Sequence, residues 1–218
     1  MADWDYKNSR SWGEKVEYRK CNLNNQSPIN IDTSNLEDEK NKCGSQDCKL
    51  KVNYISSKCH VVVKNRSPTI YFDHGSYIVY NGFKGEDDNY NFISNKFYLK
   101  KMTLHTPSMH TINNNSYDME AILYHYNNSD EINENESGGI AISLLFKSGN
   151  DKGNVNRFFN QIINQIPLEE KDQETFIDVD DNWNANMLLP TNKAFFTYPG
   201  SLPHPPCNEN WYWIVFDL

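Results

Sequence analysis

Apolar residues alternate with polar ones, or run together in short β-branched and aromatic stretches, over residues 49–54, 59–64, 69–73, 77–80, 97–105, 121–126, 140–146 and 211–216. Successive side chains of a strand point to opposite faces, so a period of two marks a strand with one buried face. Clusters of Gly, Asn, Asp and Ser separate these stretches, which predicts an antiparallel sheet with hairpin turns. Residues 156–166 break the pattern. Their apolar positions recur at helical spacing and stop at Pro167, which predicts one helix there. Prolines 199, 203, 205 and 206 remove backbone donors and fix φ, so residues 199–206 are expected to carry no regular structure. No internal repeat or linker interrupts the pattern, and 218 residues suit one domain, taken as residues 1–218.

Charge narrows the classes of partner. The formal net charge is −8, and residues 158–218 hold only Lys171 and Lys193 as bases. The positive residues concentrate in Lys40, Lys42, Lys49, Lys51, Lys58, Lys64 and Arg66, a candidate patch for an anionic ligand such as a sulfated glycan. Nucleic acid is not expected, because the global charge repels it and no recognition motif is present. No run of about 18 apolar residues exists, so no transmembrane segment is predicted. The start, Met1-Ala2-Asp3-Trp4, lacks the basic and apolar regions of a signal peptide. Five cysteines are present, with no Cys-x-x-Cys pattern. Cys43 and Cys48 lie close enough in sequence to bridge a tight loop, and Cys59 is left over as a buried thiol.

Several segments carry a resemblance to a known family. They are Gln26-Ser27-Pro28-Ile29-Asn30-Ile31-Asp32, Asn186-Met187-Leu188-Leu189-Pro190, and Phe195-Phe196-Thr197-Tyr198-Pro199-Gly200-Ser201-Leu202. Pro205-Pro206-Cys207 and Trp213-Ile214-Val215-Phe216 complete the set. In order and spacing the chain resembles the α-class carbonic anhydrases over residues 4 to 216. The resemblance implies a mainly β fold: a large twisted, mostly antiparallel central sheet with short surface helices. It also implies a Cys21–Cys207 disulfide, which pairs in secreted relatives and would close a loop of roughly 185 residues. Such a bond points to an oxidising location, extracellular or in the secretory pathway. The family usually continues some tens of residues beyond this point, so the chain is expected to lack a C-terminal tail.

The same resemblance implies a departure at the metal. The family's zinc sits on three histidines, two at alternate positions of one strand and a third on the next. Read onto this chain, those positions are Thr103, His105 and Ile122, so two of three imidazoles are replaced. Zinc with three neutral imidazoles lowers the pKa of its bound water to about 7 and supplies the hydroxide that attacks carbon dioxide. Lys101 stands where a glutamine orients the first ligand, and Met109 and Pro203 stand where a Glu–Thr pair aligns the hydroxide. The proton shuttle falls near Ser67, and Glu120 survives with its imidazole partner expected to be missing. The carbon dioxide pocket is read as Tyr124, Ile142, Trp211 and Leu202, bulkier than the family's lining.

The remaining histidines, at 60, 74, 110, 125 and 204, are expected to be structural; His105 with His204 could offer two nitrogens to a soft metal, with no third ligand evident. The resemblance therefore implies no cofactor, no catalytic residue and no enzyme. It implies instead a non-catalytic binding or adhesion module for a protein partner or a cell-surface glycan. The alternatives are a structural subunit of a larger assembly and a residual carbonate dehydratase with an unusual metal site.

Overall fold

The computed structural model describes residue 4 and residues 6–36, 49–64, 67–82, 94–127, 138–149 and 153–216. Two 3-10 segments, Tyr6–Glu14 and Val16–Asn22, lead into β1 (Asn30–Ile31). Then come β2 (Leu50–Asn53), β3 (Cys59–Lys64), β4 (Ser67–Phe72), β5 (Tyr77–Tyr80), β6 (Lys96–His105), β7 (Thr111–Ile112), β8 (Met119–Tyr126) and β9 (Gly139–Phe146). Helix α1 (Asn154–Ile162) precedes β10 (Lys171–Ile177), β11 (Phe195–Gly200) and β12 (Trp211–Phe216). The main sheet runs β10-β3-β4-β6-β8-β9-β12-β11, with β2 and β5 joined to β6, and β1 pairs with β7 apart from it. All neighbours in the main sheet are antiparallel except β12 with β9. The predicted class, mainly β with a large mostly antiparallel sheet and short helices, is the observed one.

The register explains where the core sits. Val61, Ile70, Met102, Leu123, Ile142 and Ile214 are cross-strand partners in succession, and all are shielded from solvent. A row of apolar side chains one residue deep therefore crosses six strands on one face of the sheet. Phe158 and Ile162 of α1 join the same cluster. Trp183 stacks on Phe158 with ring centroids 4.5 Å apart, and its indole N–H donates to the Phe158 carbonyl at 3.2 Å. That bond answers the one polar atom of the largest side chain in the cluster.

Three elements differ from the sequence reading. The helix expected over 156–166 is α1 followed by a 3-10 turn, Ile163–Gln165. Gln165 accounts for the tightening, because its amide bonds the Gln161 and Asp178 carbonyls and accepts from the Asp178 N–H. Strand β10 was not predicted, since its sequence KDQETFI is mostly polar; it pairs with β3 through Thr175, Phe176 and Ile177. Strand β11 enters the stretch expected to be irregular, where Pro199 pairs with Tyr212 and Gly200 with Trp211. The proline is tolerated because β11 is an edge of the described sheet, so its missing donor leaves no ladder bond unmade. Residues 201–206 carry neither helix nor strand, as expected.

The N-terminal segment is tied to the loop after β11. Cys21 and Cys207 form a disulfide with Cα atoms 5.0 Å apart. Lys20 Nζ donates to Asn208 Oδ1 at 2.8 Å, and Gln26 and the Asn25 N–H both donate to Glu209. Ser27 Oγ accepts from the Ser201 N–H and from Tyr198 Oη, each at 3.1 Å. A Cβ on Gly200 would stand 2.2 Å from that Ser27 oxygen, so only glycine allows the two segments to approach. Cys59 is a buried free thiol, as expected, and burial first, with Asp73 nearby, pushes it up to about 12. Cys43 and Cys48 lie outside the described residues.

Serine in place of both Cys21 and Cys207 should lower stability by about 2–4 kcal/mol, because the bond closes a very long loop in the unfolded chain. A fall in the urea midpoint at constant slope is the expected reading. An unchanged midpoint would show that the surrounding hydrogen bonds hold these segments without it.

Candidate functional site

The second face of the sheet carries the site. Register places Thr103 opposite Ile122 and His105 opposite Glu120, while Ser143 follows Ile122 on β9. Alternation along β6 sends Lys101, Thr103 and His105 to this face. Thr103 Oγ1 and His105 Nε2 are hydrogen-bonded at 3.0 Å, and the more distant Tyr124 Oη lies 3.5 Å from Thr103 Oγ1. Ile122, fully buried, completes the predicted trio. The structure thus brings Thr103, His105 and Ile122 together, as the sequence reading placed them. Of their side chains only the His105 imidazole is a good zinc donor; a hydroxyl is a poor one and an aliphatic chain is none. Among the described residues, no group of three or more His, Cys, Asp or Glu side chains is arranged to hold a metal.

His105 is covered by the edge of the Tyr6 ring, centroids 5.7 Å apart. Burial first, with His110 adding to it against the opposing pull of Glu120, lowers its pKa below the ordinary imidazole value. Lys101 is buried on the same face, its Nζ 5.2 Å from the centre of the Tyr124 ring. His204 has other partners. Its ring stacks on Trp4 at 5.4 Å and its Nδ1–H donates to the Pro205 carbonyl at 2.8 Å. Sequence reasoning did not find Tyr6 or Trp4 at the site. The aromatic cluster of Trp4, Tyr6 and Trp12 near the start of the chain was the available signal.

The bulky interior is observed, with one correction of register. Tyr124, Trp211 and Leu202 pack together with Ile122, Tyr126, Ala141 and Trp213. Trp211 meets Tyr124 and Tyr126 edge-on, with centroids 5.5 and 5.1 Å away. Ile142 belongs to the opposite core, and Ala141, the partner of Tyr124, takes the place assigned to it. One residue of slip moves a strand side chain to the other face.

Glu120 is also corrected: it has an imidazole partner, His110. His110 Nδ1–H donates to Glu120 Oε1 at 2.6 Å, the Met109 and His110 N–H groups donate to Oε2 at 2.7 and 2.9 Å, and Ser143 Oγ donates to Oε1 at 2.7 Å. His110 Nε2 lies 2.6 Å from Tyr198 Oη, which donates on to Ser27. Burial raises the carboxyl pKa, but the His110 imidazole and these donors outweigh it and hold it down to about 2. His125 is structural as expected. Its Nδ1–H donates to the Ile140 carbonyl at 3.2 Å and its Nε2 accepts from Tyr54 Oη at 2.8 Å, and burial lowers it to about 3. His60 stacks on Tyr71 at 5.0 Å, and His74 Nδ1 meets Lys100 Nζ at 3.2 Å.

Four lysines of the basic run lie among the described residues. Lys58 and Lys64 flank opposite ends of β3, on the order of 20 Å apart at 3.3 Å per residue. Lys58 donates to the Val179 carbonyl at 3.0 Å and lies 3.6 Å from Asp181. Lys51 is in β2 and Lys49 precedes it, and Lys40, Lys42 and Arg66 lie outside the described residues.

A mainly β chain built on one large mixed sheet, with His105 and Glu120 at its centre, defines a class that comparison makes specific. The model of the eukaryotic-type carbonic anhydrases matches residues 7–218, and the chain belongs to that family. It is 28% identical to a carbonic anhydrase of Nostoc sp. over 94% of this chain and 67% of that one. It is 29% identical to carbonic anhydrase 6 of Mus musculus over 98% of this chain and 67% of that one. Among solved structures, the α-carbonic anhydrase of Thermovibrio ammonificans, in complex with the inhibitor sulfanilamide, aligns with a TM-score of 0.77 and 26% identity. It covers 100% of this chain and 84% of its own. These findings correct the expectation that the chain is no enzyme: its family and its named relatives are carbonic anhydrases, and they point to an enzyme.

Glu120→Gln should destabilise the fold by about 3 kcal/mol or more at neutral pH, since it leaves His110 and two backbone donors poorly matched. The folded-state carboxyl lies below its unfolded value of 4.5, so its contribution is full above that pH and is lost as pH falls toward 2. Urea unfolding of both proteins at pH 7 and pH 3 should show the difference narrowing at the lower pH. An equal difference at both would assign the loss to packing.

Proposed function

We propose that this protein is a carbonic anhydrase family member altered at the metal, working as one domain over residues 1–218 that binds a partner through the retained fold. The hydrogen bond between Thr103 Oγ1 and His105 Nε2 carries the reading. It engages the one imidazole of the trio, while Ile122 offers no donor on the neighbouring strand. These residues do not fit a zinc held by three imidazoles. Lys101, buried on the same face, adds a positive group that disfavours a dication. Carbonic anhydrase activity, the activity in the relatives' names, would here need a metal whose only imidazole from this trio is His105.

The partner is a protein or a cell-surface glycan. The span between Lys58 and Lys64 favours a protein, since a sulfated sugar is held by bases that act together. An extracellular or secretory location accords with the Cys21–Cys207 disulfide.

Elemental analysis should return far less than one zinc per chain. About one zinc per chain with sulfanilamide-sensitive hydration would overturn the altered-metal reading. Thr103→His with Ile122→His should raise zinc affinity, because it rebuilds three imidazoles on adjacent strands. On a heparin column at low salt the protein should pass unretarded. Retention abolished by Lys49→Glu with Lys51→Glu would make the glycan the partner.

A further inference from the structure

A cavity of about 640 Å³ opens where the ends of β4 and β6 meet the N-terminal segment and the turn after α1. Leu104, Met119 and Ile166 give it an apolar wall, and Lys7, Ser67 and His105 are among its polar groups. Among the described residues no carboxylate lines it, and Lys7, its one lysine, makes no ion pair with any of them. Ser67 Oγ is closed off from solvent without a hydrogen-bond partner. His105 engages Nε2 with Thr103, and its Nδ1 makes no hydrogen bond among the described residues. Leu168, fully exposed, and Ile163, 49% exposed, also line the cavity.

Small-molecule sites combine this kind of concave apolar wall with a few polar groups that fix orientation. A buried hydroxyl without a partner is destabilising and is completed by a ligand acceptor. A single cation with no competing acid selects one negative charge. Exposed apolar side chains at the same cavity gain by covering against a hydrocarbon. We propose that this cavity binds an amphipathic monocarboxylate of the medium-chain fatty acid class. The carboxylate accepts from Lys7 Nζ and Ser67 Oγ, and the chain lies along Leu104, Met119 and Ile166. The proposal does not depend on which metal, if any, the neighbouring trio holds.

Calorimetric titration of the whole chain with decanoate, and with 1-decanol as its uncharged counterpart, tests it. Decanoate should saturate at one per chain. Lys7→Met should weaken decanoate roughly fivefold or more while leaving decanol unchanged. The pair Ile163→Ser and Leu168→Ser, both on exposed side chains, should weaken both ligands by about tenfold. Uptake that does not saturate, or decanoate affinity indifferent to Lys7→Met, would overturn the site.

Discussion

The pairing register of β6 with β8 and β9 governs both faces of this protein. Met102, Leu123 and Ile142 stand in line on one side, and Thr103, Ile122 and Ser143 stand in line on the other. Because the side-chain period is two, the apolar row that builds the core also dictates which residues face the site. A shift of one residue would turn His105 and Glu120 into the hydrocarbon core and move Leu123 and Ile142 to the face that holds the polar groups. The cost of burying those polar groups unpaired fixes the register.

Within that frame the polar centre of the molecule is Glu120. A carboxylate shielded from solvent is tolerated only when its lone pairs are answered, and here four donors answer them. The chain of contacts runs from Ser143 on β9 through Glu120 and His110 to Tyr198 on β11 and Ser27 near β1. It crosses the sheet where β8, β9 and β12 bury both faces, and it links the edge strand and the N-terminal segment to the centre. Any substitution at Glu120 or His110 therefore acts on the fold before it acts on chemistry.

His105 has a different status. It stands between a hydroxyl, an aromatic edge and a cavity, with its basicity reduced by burial. A neutral imidazole can donate at one nitrogen and accept at the other, so it can hold Thr103 and still meet a ligand. The family relationship sets enzymes beside this chain, while the donor set at Thr103, His105 and Ile122 differs from a three-imidazole centre. Both facts bear on the same few residues.

Much of this was legible in the sequence. Strong alternation marked β3, β5 and β12 to the residue, because half-buried strands must alternate or run apolar. The order of signature segments implied the class of fold, the Cys21–Cys207 bond and the trio at the metal position. What the sequence could not decide depended on neighbours far along the chain. Polar β10 is a strand because β3 offers it a partner, and Pro199 sits in a strand because β11 has an edge. Ala141 rather than Ile142 faces Tyr124 because the ladder between β8 and β9 sets which side each takes. His110 found Glu120, and Tyr6 found His105, through folding that brings segments together whose spacing in the chain carries no such information. Local pattern determined most of the strands, because a strand with a buried face must alternate or run apolar; only tertiary pairing decided the polar strand β10, the face taken by Ala141 and which polar groups met.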